Sequence, residues 1–260
     1  MNYKIRLAVI LFLTSICFPQ IEENPDKDFS KFFEVGGDIF SSPSEFNSAD
    51  WKILSGVTIL TAGSFIIDNS IREFTINNRS DFLNAISNID DYYHLETMGI
   101  SILGLYTYGL AGDDNEIRNL GLQLAEATIY SSAINFVVKI LMGRSRPYLE
   151  KGIASFNPFN FSFDKTSFPS LHSTLAFSFS TILADYIDNT FWKIGWFTVA
   201  GFVGLARIYK DQHWFSDVLL GSAIGYFVGE FVSNHSTNKK KEELNPNSIS
   251  KFNIAFNFAF

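Results

Sequence analysis

Cysteine is nearly absent from the sequence, since Cys17 is the only one among 260 residues. It lies in the apolar run Leu7–Phe18, which follows two basic residues and has the pattern of an export signal. We expect a signal peptide at residues 1–20 that is cleaved at about position 17–20. The mature protein would then have no thiol, and in an oxidising envelope it would depend on its core rather than on disulfides.

Positive charge is also scarce. The chain has 20 Lys and Arg residues against 27 Asp and Glu residues, which gives a net charge of -7. Proteins that bind nucleic acid usually present a broad basic face, and nothing in this sequence predicts one. An anionic substrate would have to be bound by a local cluster of cations. The acids and the four histidines are not spaced as metal ligands, so we expect no metal and no other cofactor.

Apolar residues at helical spacing dominate the chain from Trp51 onward. We predict an all-α protein with a six-helix bundle at residues 51–233, after an acidic lead-in at residues 21–50 that contains at most one short amphipathic helix. A polar tail follows at residues 234–260 and ends in the strand-like segment Phe252–Phe260. The predicted helices lie at about 51–68, 97–111, 119–142, 171–187, 191–207 and 214–233.

The apolar stretches raise the question of a membrane. A spanning helix needs about 20 predominantly apolar residues, whereas shorter runs are typical of buried core helices. An exported N-terminus followed by six spans would also put the joints at 143–170 and 207–213 on the cytoplasmic side. We therefore expect a soluble or peripheral periplasmic protein rather than an integral membrane protein, with association with a membrane left open. Charges interrupt or bound the predicted helices at Lys52, Glu126, Lys139, Asp185, Arg207 and Glu230.

Three short segments place polar groups at the ends of predicted helices, where one rim of a bundle could gather them. The segment KILMGRSRP at Lys139–Pro147 ends the third helix, and FPSLHS at Phe168–Ser173 begins the fourth. The segment RIYKDQHWFSD at Arg207–Asp217 lies at the joint between the fifth and the sixth. Taken singly, such residues are usually helix caps or solvated charges, but in this order and spacing they form a narrow pattern.

These residue types suit a phosphate. Arginine and lysine neutralise its charge, and a helix N-terminus adds backbone N–H groups with a favourable dipole. His213 and Asp217 are four residues apart on one helical face, so the carboxylate could orient the imidazole for nucleophilic attack. A second histidine, His172, could protonate the leaving oxygen.

The three segments resemble, in the same order, the motifs of the type 2 phosphatidic acid phosphatase and vanadium haloperoxidase superfamily. The resemblance covers about residues 51–233. It implies a helical bundle and a metal-free phosphatase that works through a phosphohistidine. By position it implies His213 as the nucleophile, Asp217 as its orienting partner and His172 as the general acid, with phosphate bound by Lys139, Arg146, Ser170, Leu171 and Arg207.

Two positions depart from the family pattern. Leu171 stands where the family usually has glycine, and Ala206 stands where it usually has serine. Neither change removes a charged or nucleophilic group, so we expect altered efficiency or substrate choice rather than a different mechanism. Arg144 lies close to the motif arginine and is a candidate auxiliary contact. His94 is expected to have a surface or interface role.

The predicted function is hydrolysis of a phosphomonoester or pyrophosphate. A lipid phosphate such as phosphatidate, phosphatidylglycerol phosphate or an isoprenyl pyrophosphate is favoured, because the chain has 28 phenylalanines and an apolar bundle. The alternatives are a periplasmic acid phosphatase that acts on small phosphoesters, a vanadium haloperoxidase, for which the chain is short, and an inactive binding protein. The expected partner is thus a phosphorylated lipid or small phosphoester, and not nucleic acid.

Overall fold

The computed structural model describes residues 25–244. The predicted signal peptide, with Cys17, and the segment Phe252–Phe260 lie outside the described residues. Within them the chain forms α-helices, short 3-10 helices and loops, which confirms the all-α prediction. The α-helices are α1 (Pro25–Ser41), α2 (Ser48–Ser64), α3 (Asp68–Asn77), α4 (Asp81–Ser87), α5 (Leu95–Ala111), α6 (Asn115–Met142), α7 (Leu171–Ile187), α8 (Thr190–Tyr209) and α9 (Phe215–Leu244).

Each of the six predicted helices is present, as α2 and as α5 to α9. The number six is too low, however, because the lead-in is helical, and so is the polar joint at 69–96, for which partly helical structure is expected from the sequence. The lead-in forms α1, a helix of 17 residues where at most one short helix was predicted. Asp28 fastens α1 to the bundle, since its carboxylate lies 2.7 Å from Nη2 of Arg118 and accepts a hydrogen bond of 2.8 Å from the Tyr106 hydroxyl.

The core lies where α6, α7 and α9 pack together, with α1 and α5 on one side and α8 on the other. Apolar side chains from these helices face inward, while other apolar side chains of the same helices face outward. The main cluster of buried residues consists of Val35, Ile39, Ile102, Leu120, Leu124, Ala127, Tyr130, Ile182, Val228 and Val232.

Glycines let α9 approach α7 at backbone contact. A Cβ atom added at Gly221 would lie 2.4 Å from the carbonyl oxygen of Ser170, and one added at Gly225 would lie 2.2 Å from that of Thr174. Real Cβ atoms do not come so close, so only glycine permits this packing. The contact places the N-terminus of α7 beside the N-terminus of α9, and both of these termini carry predicted site residues.

The outer surface of the bundle is strongly apolar. Within residues 25–244, three helical stretches are long and apolar enough to cross a membrane, namely Ser48–Asn77, Asn115–Met142 and Phe215–Thr237. In the most apolar 18 residues of the first stretch only 17% are buried, and large side chains such as Ile66 and Ile100 are 82% and 74% exposed. Apolar surface of this extent indicates association with a membrane. The sequence-based preference for a soluble or peripheral bundle over an integral membrane protein is therefore not supported.

Candidate active site

The predicted site residues meet at one end of the bundle. The C-terminal ends of α6 and α8 and the N-termini of α7 and α9 converge there, beneath the loop at 143–170. Hydrogen bonds join the three motifs into a single cluster. Lys139 donates to the carbonyl of Pro169, and Arg146 donates to the side chain of Gln212 at 3.0 Å. The backbone N–H of Ser170 donates to the carbonyl of Asp217 at 2.9 Å.

His213 is buried, with 3% of its surface exposed. Its Nδ1 lies 2.7 Å from the carbonyl oxygen of Ser167. Because a carbonyl oxygen can only accept, Nδ1 must carry the proton, and Nε2 then presents a free lone pair. Burial, followed by the charges of the neighbouring cations, lowers the pKa of His213 well below its ordinary value. The ring is therefore held neutral, in the tautomer that a nucleophile needs.

Asp217 differs from the expectation that it is the hydrogen-bond partner of the histidine. Its Oδ2 lies 3.5 Å from Nδ1 of His213, beyond normal hydrogen-bond length, and accepts instead from the backbone N–H of Trp214 at 2.9 Å and from the Ser167 hydroxyl. Ser167 therefore lies between the two side chains. Its carbonyl accepts a hydrogen bond from the imidazole, and its hydroxyl donates one to the carboxylate. Asp217 keeps a negative charge near the ring without fixing its tautomer.

His172 lies in the first turn of α7, and its Nε2 is buried without a hydrogen-bond partner among the described residues. Burial and the charge of Arg207, followed by weaker contributions from other neighbours, lower the pKa of His172 to about 3. The ring packs edge-on against His94, with the ring centroids 4.8 Å apart. His94 was assigned a surface or interface role from the sequence; it is exposed, but it also borders the site.

Two arginines leave part of their guanidinium groups available. Arg146 donates to the carbonyl of Phe163 and to the side chain of Gln212, and its pKa is lowered by burial and by Arg207. Arg207 pairs with buried Asp90 through Nη1 at 2.6 Å, whereas its Nε is buried without a partner among the described residues. Asp90 thus fixes one side of Arg207 and leaves the other side to an anion.

The other residues predicted to bind phosphate contact neighbouring groups of the protein. Lys139 donates to the carbonyl oxygens of Thr166, at 2.7 Å, and of Pro169, which fastens the loop before α7. Ser170 is the N-cap of α7, and its hydroxyl is fully buried against Ser173. Leu171 begins the helix, where the first backbone N–H groups have no intrahelical acceptor. Phosphate binding by these residues stays a prediction.

Arg144, a candidate auxiliary phosphate contact from the sequence, has no donor left for a substrate. All five of its N–H groups are used, and the side chain is fully buried. Its position between glycine and the motif arginine was the only signal for it. Sequence reasoning missed other residues that hold the site, which are Asp90, Ser167, Gln212 and Ser216.

The arrangement suits a tetrahedral oxyanion. Buried polar atoms are nearly always hydrogen-bonded, so those without a partner call for a ligand or another explanation. Arg207 Nε and His172 Nε2 are two such atoms among the described residues, and the charges of both side chains act on His213. A phosphate placed among them would meet donors from Arg146 and Arg207 and from the N-terminus of α7, opposite a nucleophile.

Comparison with known proteins finds a family match that includes the three motifs. The family model of the PAP2 superfamily matches residues 120–241, which contain all three motifs. A lipid A 1-phosphatase of Porphyromonas gingivalis is 29% identical over 172 residues, which are 64% of this chain and 34% of that protein. The chain therefore spans about a third of the length of this curated relative.

Two solved structures share the fold. One is the crystal structure of Aquifex aeolicus LpxE, with a TM-score of 0.51, 20% identity and coverage of 65% of this chain and 95% of that one. The other is a transmembrane PAP2 type phosphatidylglycerolphosphate phosphatase from Bacillus subtilis, with a TM-score of 0.52, 19% identity and coverage of 82% and 96%. At this identity the likeness concerns the fold alone.

Proposed function

Because residues 120–241 match the family model of the PAP2 superfamily, we propose that the chain is a metal-independent phosphatase of a lipid phosphomonoester or pyrophosphate. In this proposal the reaction passes through a phosphohistidine at His213. The observation that carries the proposal is the buried His213, whose Nδ1 donates to a carbonyl and whose Nε2 is left free, in a cluster where Arg207 has a buried Nε without a partner among the described residues.

The first step transfers the phosphoryl group to the protein. The lone pair of His213 Nε2 attacks phosphorus and forms a P–N bond, while the bond from phosphorus to the leaving oxygen breaks and its electron pair goes to that oxygen. Arg146 and Arg207 donate hydrogen bonds to the phosphoryl oxygens, where charge develops. The carboxylate of Asp217, 3.5 Å from Nδ1, stabilises the positive charge that the imidazole acquires.

His172 supplies the proton in this scheme. Its lowered pKa keeps the ring neutral in the empty site. A bound phosphate dianion would offset the surrounding cations and favour the protonated ring, which could then protonate the leaving oxygen. In the second step the neutral ring accepts a proton from water, water oxygen attacks phosphorus, and the P–N electron pair returns to Nε2 as inorganic phosphate forms.

The surface around the site favours a lipid. Phe159, Phe161 and Phe163 alternate along the loop at 143–170 and are 67%, 75% and 70% exposed. The loop is held in place, since the N–H of Phe159 donates to the carbonyl of Ile140 at 2.7 Å. The centroid of the Phe163 ring also lies 4.2 Å from Cζ of Arg146. A headgroup bound at Arg146 would therefore leave its chains beside exposed aromatic rings, which suit a membrane interface.

A phosphate-release screen of the purified protein in detergent tests the proposal. The substrates are lipid phosphates, lipid pyrophosphates and water-soluble phosphoesters, each with chelator present and with the His213→Ala variant as the blank. We expect release from a lipid substrate that chelator does not reduce. Release from soluble esters alone would replace the lipid with a small substrate, and complete loss in chelator with recovery on added zinc or magnesium would contradict the metal-independent mechanism.

A further inference from the structure

A fully buried ion network lies behind the site, and part of it comes from outside the matched region at 120–241. Arg144 lies between two carboxylates, with Nη2 2.7 Å from Oδ2 of Asp68 and Nη1 2.6 Å from Oδ1 of Asp217. All three side chains are at most 1% exposed. Asp68 is the first residue of α3. This helix is therefore linked, through Arg144, to the carboxylate of Asp217 beside His213.

The network is completely hydrogen-bonded. Arg144 uses its remaining donors on the carbonyl of Ile153 and on the hydroxyl of Ser216. Asp68 in turn accepts from the backbone N–H of Ser216 at 2.9 Å and from its hydroxyl at 2.6 Å. The guanidinium of Arg144 lies among aromatic rings, and its Cζ is 4.2 Å from the centroid of the Phe65 ring. Because no donor of Arg144 is left for a substrate, this residue can affect the reaction only through its neighbours.

The charges explain why two carboxylates are needed. A lone Arg144–Asp217 pair would be neutral, and the positive charge of the arginine would offset the effect of the carboxylate on His213. With Asp68 included, the network carries a net charge of -1 in a buried setting, where screening by water is weak. A negative charge therefore remains beside the imidazole that becomes positive when it is phosphorylated.

We propose that Asp68 and Arg144 are positioning residues for the reaction at His213: Arg144 orients Asp217, and Asp68 offsets the charge of Arg144 so that Asp217 can stabilise the phosphorylated ring. This inference rests on the proposed phosphohistidine chemistry. It extends the catalytic unit to α3, beyond the three motifs. Removal of Asp68 should slow phosphoryl transfer without weakening the binding of phosphate, since neither Asp68 nor Arg144 reaches the anion.

The test compares single-turnover rates of phosphoenzyme formation with inhibition by inorganic phosphate. We expect Asp68→Asn and Arg144→Lys to lower the rate by roughly 10- to 100-fold, the range found when groups that orient metal-ligating side chains are removed. Phosphate inhibition should be unchanged. Ser216→Ala removes only the hydroxyl shared by Asp68 and Arg144, so it gives a milder variant if a buried charge left unpaired impairs folding.

A double-variant comparison separates this role from a structural one. Asp68→Asn should cause no further loss in the Asp217→Asn background, because it acts through that carboxylate. The control is Asp211→Asn, which breaks another ion pair between α3 and the joint before α9, formed by Arg72 and Asp211 at 2.6 Å. The control should keep the wild-type rate.

Three outcomes would overturn the proposal. These are a wild-type rate in Asp68→Asn and Ser216→Ala, losses that multiply with Asp217→Asn, or an equal loss in Asp211→Asn. A wild-type protein that hydrolyses phosphoesters but forms no phosphoenzyme would overturn both this inference and the phosphohistidine mechanism. Wild-type phosphoenzyme with unchanged kinetics in the variants would overturn this inference alone.

Discussion

At the scale of single residues, the site separates two roles that one carboxylate often combines. The carbonyl of Ser167 fixes the tautomer of His213, and Asp217 contributes charge from 3.5 Å. Exchange of Asp217 for asparagine should therefore leave the proton on Nδ1, since the carbonyl remains. The expected cost is the lost stabilisation of the charged ring.

The clearest test at this scale concerns the two histidines. His213→Ala should form no phosphoenzyme, because the covalent route is removed. His172→Ala should still form it from a substrate whose leaving group needs no proton, and should lose activity of about 100-fold or more with a poor leaving group. Rapid quench with labelled substrate and mapping of the acid-labile phosphate measures both. Label on a residue other than His213 would contradict the mechanism.

The ionisation of His213 and His172 gives a second test. A histidine in water has a pKa of about 6.5, and burial lowers the pKa of both rings. A lowered pKa means that the neutral form persists as the pH falls, so neither ring should titrate between about pH 8 and pH 5.5. NMR of the labelled rings in detergent measures this. A midpoint near 6.5 for His213 in the empty site would contradict the assignment of a neutral nucleophile.

At the scale of helices, the site depends on the close packing of α7 and α9. Their N-termini supply His172 and Asp217, and glycines allow their backbones to touch. A side chain in this contact would separate the two helix ends. Activity and stability should therefore respond together to a change that lies well away from the phosphate.

Gly225→Ala tests this packing. The new Cβ would meet the carbonyl oxygen of Thr174 at 2.2 Å, and such overpacking costs about 1–3 kcal/mol of stability. We expect a lower melting temperature in detergent together with a lower kcat. Gly201→Ala in α8 is the control, because a Cβ there meets nothing within 4 Å and alanine favours helix over glycine. Equal effects of both substitutions would contradict the packing argument.

At the scale of the whole molecule, apolar side chains cover the outside of the bundle while the charged groups of the site lie inside one end. Three stretches are long and apolar enough to span a bilayer. We expect the protein to stay with the membrane fraction after an alkaline carbonate wash and to need detergent for release. A peripheral bundle would be found in the wash, and detection by immunoblot separates the two outcomes.

The sequence predicted much of this molecule, but not all of it. Helical spacing located α2 and α5 to α9, because long apolar stretches separated by polar joints are a local pattern. The length of uncharged runs was a poor guide to the environment, because Asp68 and Glu126 are buried inside the bundle while apolar side chains face outward. The partners of the motif residues were also missed. Asp68 and Arg144 are 76 residues apart, and no local pattern encodes a pair at that distance.

The long-range polar contacts at the site also bear on how the protein folds. The ion pair between Asp90 and Arg207 joins residues 117 positions apart, and the hydrogen bonds between Ser216 and Asp68 join residues 148 positions apart. Contacts of such long range form slowly, because closing a long loop costs chain entropy before the contact stabilises the fold. A growing chain can thus make its helices one after another while the catalytic centre stays incomplete until α9 has docked. Activity is then acquired at the last stage of assembly, when the first and last parts of the bundle meet.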